Sequence, residues 1–372
     1  MWLFYFNMAF MVFSAVFLYL ILKGKNFSLV YILLNVGLMA FLSMFRSISV
    51  GNDTNDYVNL FYNISYGNDL ALYSSRFEIG YLYLNKFLNY FSSNHQILLM
   101  TTSAYIFFVI GRFIYKYSKS PWLSLILFYS LRFFDISLSG IRQMLAVATV
   151  ILAYEFLIEK KIVKYIVAMI IAISFHNAAI LFLISYPMKK YKLTSKMILI
   201  VTFITGLLFL LLDPILSRIL LYFPKYYSYV YNSKGEGEVK LATLLGFIVF
   251  LLIFIACELL NRKKSYYDND LSLKINRNIK TQEDELQSLF LLISCAVLFI
   301  ALQVDIIARF KNIFGMFAII YFPNSITKLT DKYVKLSFVI IVVILFLAHI
   351  TAIHLFRPEW QSTYPYSFFW ND

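Results

Sequence analysis

Two arginines, an aspartate and a glutamine lie inside a stretch that is otherwise apolar, SLRFFDISLSGIRQMLAVA, which begins at Ser130. Gly140 and the serines before it predict a helix break, with a new helix from about Ile141 that places Arg142 and Gln143 in its first turn. The first N–H groups of a helix lack internal partners, and the helix dipole favours an anion there. An arginine beside such a helix start is suited to bind a phosphate group.

Arg132 and Asp135 lie three residues apart in the same stretch, so they can pair on one face of a helix. That pair would orient the Arg132 guanidinium toward a substrate, or it would be no more than a salt bridge within the protein. Arg142 has a comparable alternative, because a long arginine side chain can extend to lipid headgroups. Charged groups inside membrane segments mark functional sites by default, which favours the functional interpretation.

Further polar side chains cluster in four other segments of the chain. The motifs GNDTNDY, RFEIGY, SFHNAAI and ARFKNIF carry Asp53, Asp56, Tyr57, Arg76, Glu78, Tyr81, His176 and Arg309. All of these segments fall on the outer side of the membrane path that we predict below. We therefore expect a single polar cavity that opens to that side.

The composition indicates that the elements positioning these groups lie in a membrane. Of the 372 residues, 61% are hydrophobic and 14% are charged, whereas soluble proteins carry about 25% charged residues. Apolar windows of about 20 residues, the length that crosses a bilayer as a helix, recur along the chain. They predict an all-α fold, a polytopic transmembrane helical bundle of about ten spans. The two cysteines lie in apolar runs and predict neither a disulfide nor a metal site.

We place the spans by apolar length and by the bias of lysine and arginine toward the inner side. They lie near residues 2–22, 27–45, 96–115, 121–139, 141–158, 197–213, 239–260, 287–304, 313–328 and 336–355. Residues 1–372 are thus expected to form a single integral membrane domain. Its connections include long outer loops at 46–95 and 214–238 and an inner loop at 261–286.

Residues 163–188 need a special arrangement, because lysines flank both ends of this apolar stretch. A single span would place one lysine cluster on the outer side, against the positive-inside rule. A re-entrant or broken helical hairpin with its tip at His176 keeps both clusters inside. Its two arms are too short to cross alone, so protein or a water-filled cavity must surround the tip.

The order of four motifs, GNDTNDY, RFEIGY, LRFF…GIRQMLA and SFHNAAI, resembles the EpsG-like branch of the Wzy-type polysaccharide polymerases. The resemblance covers residues 40–190, with ARFKNIF near residue 308 as a weaker late match. It implies a fold similar to that of the metal-independent GT-C-type glycosyltransferases. It also implies an enzyme of the bacterial cell inner membrane that polymerises O-antigen or exopolysaccharide repeat units at the periplasmic face.

The partners that the resemblance implies are undecaprenyl-pyrophosphate-linked glycans and membrane lipids, with a Wzz-type chain-length regulator and a flippase as further candidates. No cofactor and no metal is expected, since arginines can neutralise a leaving pyrophosphate and the carboxylates of NDTND are spaced too widely for a metal motif. The net charge of +13 needs no nucleic acid, because basic residues on the inner side contact anionic lipid.

Residue roles follow from the same resemblance. The candidates for stabilising the leaving pyrophosphate are Arg142, Arg132 and Arg309. Further candidate substrate contacts are Gln143, Arg76, Asp56, Tyr57 and Tyr81. The candidate bases for the acceptor hydroxyl are His176, Glu78 and Asp53.

Each candidate base also has a purely structural interpretation. A histidine at a helix break is often a hydrogen-bonded structural residue, and Glu78 can form a surface ion pair with Arg76. Asp53 lies in the turn-like sequence GND that begins at Gly51, where an aspartate often caps a helix or makes a turn. The tyrosines fit sugar rings, but they also fit the aromatic belt of a membrane protein.

Two other classes of membrane protein remain as alternatives. A flippase for lipid-linked oligosaccharides would carry charges along a path through both leaflets and often shows two related halves. A membrane acyltransferase that modifies surface glycan would use a histidine and arginines near the inner leaflet. The concentration of charge on the outer side favours the polymerase over both.

The lysine bias makes a topological prediction. In a chain without its two native cysteines, Lys192→Cys should resist a membrane-impermeant maleimide in intact spheroplasts and react after lysis, because Lys189–Lys196 is expected to be cytoplasmic. Tyr66→Cys, in the long outer loop, should react in intact spheroplasts and serves as the positive control. Labelling of Lys192→Cys from outside would contradict the hairpin.

Overall fold

The fold is taken from a computed structural model, which describes residues 2–22, 24–67, 69–222, 237–262, 281–356 and 361–371. The regular structure of these residues is helical, apart from a single antiparallel bridge between Arg46 and Phe368. The predicted all-α polytopic fold is therefore confirmed. The middle of the predicted loop 214–238 and most of the predicted loop 261–286 lie outside the described residues.

The α-helices are numbered here in chain order. The first nine are α1 (Trp2–Ile21), α2 (Gly24–Met44), α3 (Thr54–Ser65), α4 (Ile79–Asn89), α5 (Gln96–Tyr117), α6 (Pro121–Ser130), α7 (Phe133–Ser139), α8 (Ile141–Ile158) and α9 (Ile162–Phe175). The others are α10 (Ser185–Met188), α11 (Ser195–Tyr222), α12 (Gly237–Arg262), α13 (Gln282–Ala301), α14 (Lys311–Gly315), α15 (Ala318–Ile326) and α16 (Lys332–Phe356). Short 3₁₀ helices lie at Leu70–Tyr73, Asn177–Ile184, Asp305–Phe310 and Phe369–Asn371.

Eight of the described helices are long and apolar enough to cross a membrane, and the number is ten if each of two bent helix pairs counts as one span. All ten predicted spans coincide with one of these helices or pairs. The predicted break at Gly140 is present, and one further break was not predicted. The span predicted at 121–139 bends by 55° between α6 and α7, where Arg132 adopts a left-handed backbone conformation with φ of 67°.

The predicted hairpin region contains two short apolar helical stretches on either side of His176. Helix α9 ends at Phe175, and His176 itself is extended, with φ of −157° and ψ of 123°. Residues 177–188 follow as a 3₁₀ helix and the short α10. A helix break at the expected residue is therefore present, whereas the return of the chain to the same membrane face stays a prediction.

The chain divides into two compact units, and the single integral membrane domain stays a prediction. The first unit comprises Met1–Ile180 and Asp331–Asp372, and the second comprises Leu181–Thr330. In the second unit α12 packs against α13 and α15. Asn261 at the end of α12 donates hydrogen bonds to Tyr321 and Ser325 on α15, which fixes the two helices to each other.

Helix α8 lies at the centre of the first unit and packs against α5 and α9, while α2 packs against α5. Its residues are apolar around most of the circumference, from Ile141 through Leu157, and nearly all are buried. A helix that is apolar on all sides belongs in the middle of a bundle. The two ends of α8 therefore decide which polar groups enter the bundle.

Residues 361–371 pack against the loop that follows α2. The amide of Gly51 donates to the Ser362 carbonyl (2.8 Å), and the amide of Ser47 donates to the Ser367 carbonyl (2.9 Å). The amide of Phe369 donates to the Phe45 carbonyl (3.0 Å). These contacts place residues 361–371 at the same end of the first unit as the polar motif GNDTNDY.

A buried carboxylate joins α5 to α8 at the opposite end. Glu155 is buried and accepts hydrogen bonds from Arg112 (2.6 Å) and Lys116 (3.1 Å), whose side chains are 40% and 37% exposed. This group of three charges is asymmetric, because the Arg112 and Lys116 side chains can be hydrated whereas the Glu155 carboxylate cannot.

This asymmetry predicts the order of stability in three variants. The double variant Arg112→Ala with Lys116→Ala should lose about 3–5 kcal/mol, because it leaves Glu155 buried without a cation. Glu155→Leu should lose less, since both cations can turn to water. Thermal unfolding of the purified protein in detergent measures the order, with Arg218→Ala on the exposed surface of α11 as control. A larger loss from Glu155→Leu would contradict the argument.

Candidate active site

The loop between α2 and α3 is held against the end of α7. Gly51 has φ of +96°, and a Cβ atom there would lie 2.5 Å from the Leu138 carbonyl oxygen, so no other residue fits without a shift. The Thr54 hydroxyl donates to the carbonyls of Val50 (2.7 Å) and Leu138 (3.2 Å). The start of α3 is thereby fixed beside the break that precedes α8.

Asp53 directly precedes α3, and its side chain makes no capping hydrogen bond to the helix backbone, so of the two structural interpretations, cap or turn, the side-chain cap is wrong. Its backbone does lie in a turn, because the amide of Thr54 donates to the Gly51 carbonyl (3.1 Å). The Asp53 carboxylate instead accepts from the Tyr57 hydroxyl (3.4 Å). The carboxylate thus lies beside the first turns of α3 and contacts a tyrosine of the same helix.

Gly80 lets helix α4 approach α9 closely. A Cβ atom at Gly80 would lie 2.2 Å from Oγ of Ser174 and 2.8 Å from its carbonyl oxygen. Because α4 begins at Ile79, this close contact brings the preceding residue, Glu78, to the end of α9 and therefore to His176. The glycine of the RFEIGY motif thus serves packing, and the glutamate serves the site.

Glu78 joins three segments through its two carboxylate oxygens. Oε1 accepts from Nδ1 of His176 (2.9 Å) and from the amide of Asn177 (3.2 Å). Oε2 accepts from Nη1 of Arg142. The predicted ion pair between Glu78 and Arg76 is wrong, because Arg76 pairs with Asp56 in an exposed position.

Glu78 remains ionised at neutral pH. Burial alone would raise the pKa of this carboxyl, but the hydrogen bond from His176 and the charge of Arg142 outweigh burial and lower the pKa to about 2. An ionised carboxylate can only accept hydrogen bonds, so Nδ1 of His176 carries the proton. Nε2 of His176 is then the basic nitrogen of the ring.

Arg142 lies in the first turn of α8, as predicted from the sequence. Nη1 also donates to the Arg76 carbonyl (3.2 Å), and the guanidinium carbon lies 4.8 Å from the Phe77 ring centre and 5.7 Å from that of Tyr57. The side chain is only 18% exposed. The alternative in which Arg142 extends to lipid headgroups is therefore wrong.

The two tyrosines of the motifs are buried beside Arg142 and do not belong to a surface belt. Tyr57 and Tyr81 are 2% and 0% exposed, and their ring centres lie 5.5 Å apart. The contacts of this site thus bring together eight of the candidate residues, namely Asp53, Asp56, Tyr57, Arg76, Glu78, Tyr81, Arg142 and His176.

Three other candidates lie elsewhere or contribute in a different way. The predicted Arg132–Asp135 pair is confirmed, with 3.1 Å between Nε and Oδ2, and His354 Nε2 lies 3.4 Å from the same oxygen. Gln143 is buried in the first turn of α8. Arg309 is exposed in the second unit, and its part in a shared cavity stays a prediction.

Arg46 belongs to the same region and was not among the residues predicted from the sequence. An arginine directly after a long apolar helix is usually interpreted as an anchor at the membrane surface. The structure buries it completely, in electrostatic range of Tyr366, Tyr81 and Tyr57. Its burial depends on contacts with distant segments, which no local sequence signal reports.

A model of the EpsG family matches residues 29–368. The chain belongs to the EpsG family. Neither a curated protein nor a solved structure matches the chain. The resemblance seen in the motifs of residues 40–190 is thus confirmed, and the match to the EpsG family extends over nearly the whole chain.

Membership of the EpsG family, together with the many apolar helices, makes this a multi-pass membrane protein of the polysaccharide-polymerase type. In this EpsG-family chain the motifs GNDTNDY, RFEIGY and SFHNAAI and the start of α8 come together in the first unit. The Glu78 carboxylate connects them, because it bonds to His176 and to Arg142, and Arg142 lies against Tyr57.

The close approach of α4 to α9 makes the site sensitive to a single methyl group. Gly80→Ala should overlap Ser174 and cost about 1–3 kcal/mol of packing energy, and it should separate Glu78 from His176. We expect loss of polymer in a complemented deletion strain and a lower melting temperature. Gly206→Ala, where the added methyl meets open space in α11, should behave as wild type. Equal behaviour of the two variants would contradict the role of Gly80.

Proposed function

We propose that this protein polymerises undecaprenyl-pyrophosphate-linked oligosaccharide repeat units into O-antigen or exopolysaccharide at the periplasmic face of the bacterial inner membrane. The reaction is glycosyl transfer without a metal, with undecaprenyl pyrophosphate as the leaving group. The observation that carries the proposal is the buried Glu78 carboxylate, which holds a histidine on one oxygen and an arginine on the other.

His176 is the base in this proposal. Its Nδ1 is bonded to Glu78, so Nε2 accepts the proton of the acceptor hydroxyl as the hydroxyl oxygen bonds to the anomeric carbon. Glu78 fixes the tautomer and the ring orientation and stabilises the imidazolium that forms, which is the role of the carboxylate in other histidine-dependent sites. His176 is 20% exposed and therefore accessible to an acceptor.

Arg142 meets the leaving group. As the bond between the anomeric carbon and the pyrophosphate oxygen breaks, its electron pair stays on that oxygen and negative charge develops there. A guanidinium held at a helix N-terminus and shielded from water stabilises this charge more strongly than one in solution. Glu78 holds Arg142 by one nitrogen, which leaves other donors of the fork for phosphate oxygens.

Asp53 and Asp56 support cationic rather than metal-assisted stabilisation. Asp53 accepts from Tyr57, and Asp56 pairs with Arg76, so the two carboxylates of NDTND have different partners. Metal sites of the Mg²⁺ type use carboxylates that converge on one ion. The basic side chain of Arg142 is thus the charged group that faces the proposed leaving pyrophosphate.

Removal of the Arg142 guanidinium should abolish polymerisation. In a deletion strain complemented with Arg142→Ala, we expect single repeat units in place of the glycan ladder, since the loss of one transition-state donor costs about 10²–10³ in rate. Arg142→Lys should restore part of the ladder, because lysine keeps the charge but loses the planar fork. His176→Gln should fail like Arg142→Ala. The readout is a polysaccharide gel, with protein level followed by blot.

Arg218→Ala, which removes an exposed arginine of α11, is the matched control and should give a normal ladder. A normal ladder from Arg142→Ala at normal protein level would overturn the proposed role of the site. The deletion strain itself separates the alternatives. A polymerase defect leaves single units at the surface, whereas a flippase defect removes all surface glycan and an acyltransferase defect leaves the ladder length unchanged.

A further inference from the structure

Within the described residues, the electrostatic partners of the Arg46 guanidinium include no carboxylate. The side chain is 0% exposed, and only Nη1 is bonded, to the carbonyl and the hydroxyl of Ser43. Nε and Nη2 are buried and have no hydrogen-bond partner within the described part of the chain. Its electrostatic neighbours are the phenol groups of Tyr366, Tyr81 and Tyr57, and none of these is a carboxylate.

The charge persists at neutral pH. Burial lowers the pKa of Arg46 to about 10, which still leaves the guanidinium protonated under physiological conditions. A buried cation without a counter-charge is strongly unfavourable, and buried charges are normally paired. An anion that binds in this region would therefore gain more binding free energy from Arg46 than from an arginine that is already paired.

Two hydrogen-bond donors near Arg46, the Tyr81 hydroxyl and Nε of Arg142, also lack an acceptor of good geometry among the described residues. The hydroxyl of Tyr81 is buried beside Asn85 and makes no hydrogen bond of good geometry among the described residues. The Asn85 amide donates to the Tyr81 carbonyl (2.8 Å). Nε of Arg142 is likewise buried and has no partner in the described part of the chain. Tyr81 lies in the electrostatic field of both Arg142 and Arg46, so the three side chains share one region.

A set of donors without acceptors favours a ligand that is rich in acceptor oxygens and negatively charged. Guanidinium groups match phosphate oxygens in geometry as well as in charge. Arg142 is the partly exposed arginine of the two, at 18%, and Arg46 is the fully buried one. One phosphate group can be bound by Arg142 alone, whereas a ligand with two phosphate groups can also reach the inner arginine.

We infer that Arg46 and Arg142 bind the two phosphate groups of one diphosphate, so that Arg46 makes the site prefer a diphosphate to a monophosphate. Arg46 therefore serves ligand binding and does not anchor the chain at the membrane surface. The inference rests on the proposed function, in which a lipid diphosphate leaves from this site. Tyr81 adds a hydroxyl donor to the same ligand.

The test is a binding measurement that needs no polymerase activity. The melting temperature of the purified full-length protein is followed with inorganic pyrophosphate, orthophosphate and undecaprenyl pyrophosphate at matched ionic strength. For wild type we expect a larger upward shift with either diphosphate than with orthophosphate. An effect of undecaprenyl pyrophosphate alone would show that the lipid-linked form is the ligand and that free pyrophosphate is not.

Arg46→Gln should remove the preference for diphosphate, so that the remaining shift equals the shift with orthophosphate. Without ligand its melting temperature should be equal to or above that of wild type, because the variant removes a buried charge that has no carboxylate partner among the described residues. Tyr81→Phe is a second test, which does not require any Arg46 variant to fold. It removes a buried hydroxyl that makes no hydrogen bond of good geometry among the described residues. It should fold normally and reduce the preference. Arg218→Gln is the control and should retain it.

The inference is overturned if Arg46→Gln and Tyr81→Phe keep the wild-type preference, or if wild type shows no preference with either diphosphate. A melting temperature of Arg46→Gln below wild type, together with an intact preference in Tyr81→Phe, would assign Arg46 a structural role instead. Failure of the polymerase proposal looks different. In that case the binding preference depends on Arg46, while the deletion strain keeps its ladder length or loses all surface glycan.

Discussion

The Glu78 carboxylate is the interaction on which the arrangement of the first unit depends. It lies just before α4 and binds His176, directly after α9, and Arg142 in the first turn of α8. A buried carboxylate is strongly unfavourable unless charged or hydrogen-bonding groups surround it. The three helices therefore reach their lowest free energy only when they meet at this one group, and the meeting point is also where the proposed chemistry takes place.

Helix α8 is fixed by a buried carboxylate at each end. Arg142 in its first turn is held by Glu78, and Glu155 in its last turns is held by Arg112 and Lys116. Between these ends the helix is apolar and closely surrounded, so neither rotation nor sliding is possible without breaking an ion pair. The Arg142 guanidinium on such a helix keeps its position while negative charge develops on the proposed leaving group. A fixed position of this kind is the condition for electrostatic preorganisation.

The sequence predicted what depends on local composition. Apolar runs predicted the ten spans, and the serines and glycine before Ile141 predicted a helix start with Arg142 in its first turn. The sequence also predicted the local pair of Arg132 and Asp135. It did not reveal which charged groups pair over long distances in the chain, because those pairs depend on contacts between distant segments. Glu78 was expected beside Arg76, its neighbour in the motif, but it binds His176, which lies 98 residues further along the chain. Arg46 was overlooked for the same reason.

The pairing of residues 361–371 with the loop after α2 bears on how the protein is made. The hydroxyls of Ser49 and Ser367 lie 3.3 Å apart although 318 positions separate them in the chain. Contacts between such distant positions form late, since the intervening chain must be ordered first. During synthesis the loop that carries GNDTNDY is therefore made long before residues 361–371. It lacks these contacts while nearly all of the remaining helices are inserted. Completion of the region that carries the candidate site is thus expected to be one of the last events in biogenesis rather than one of the first.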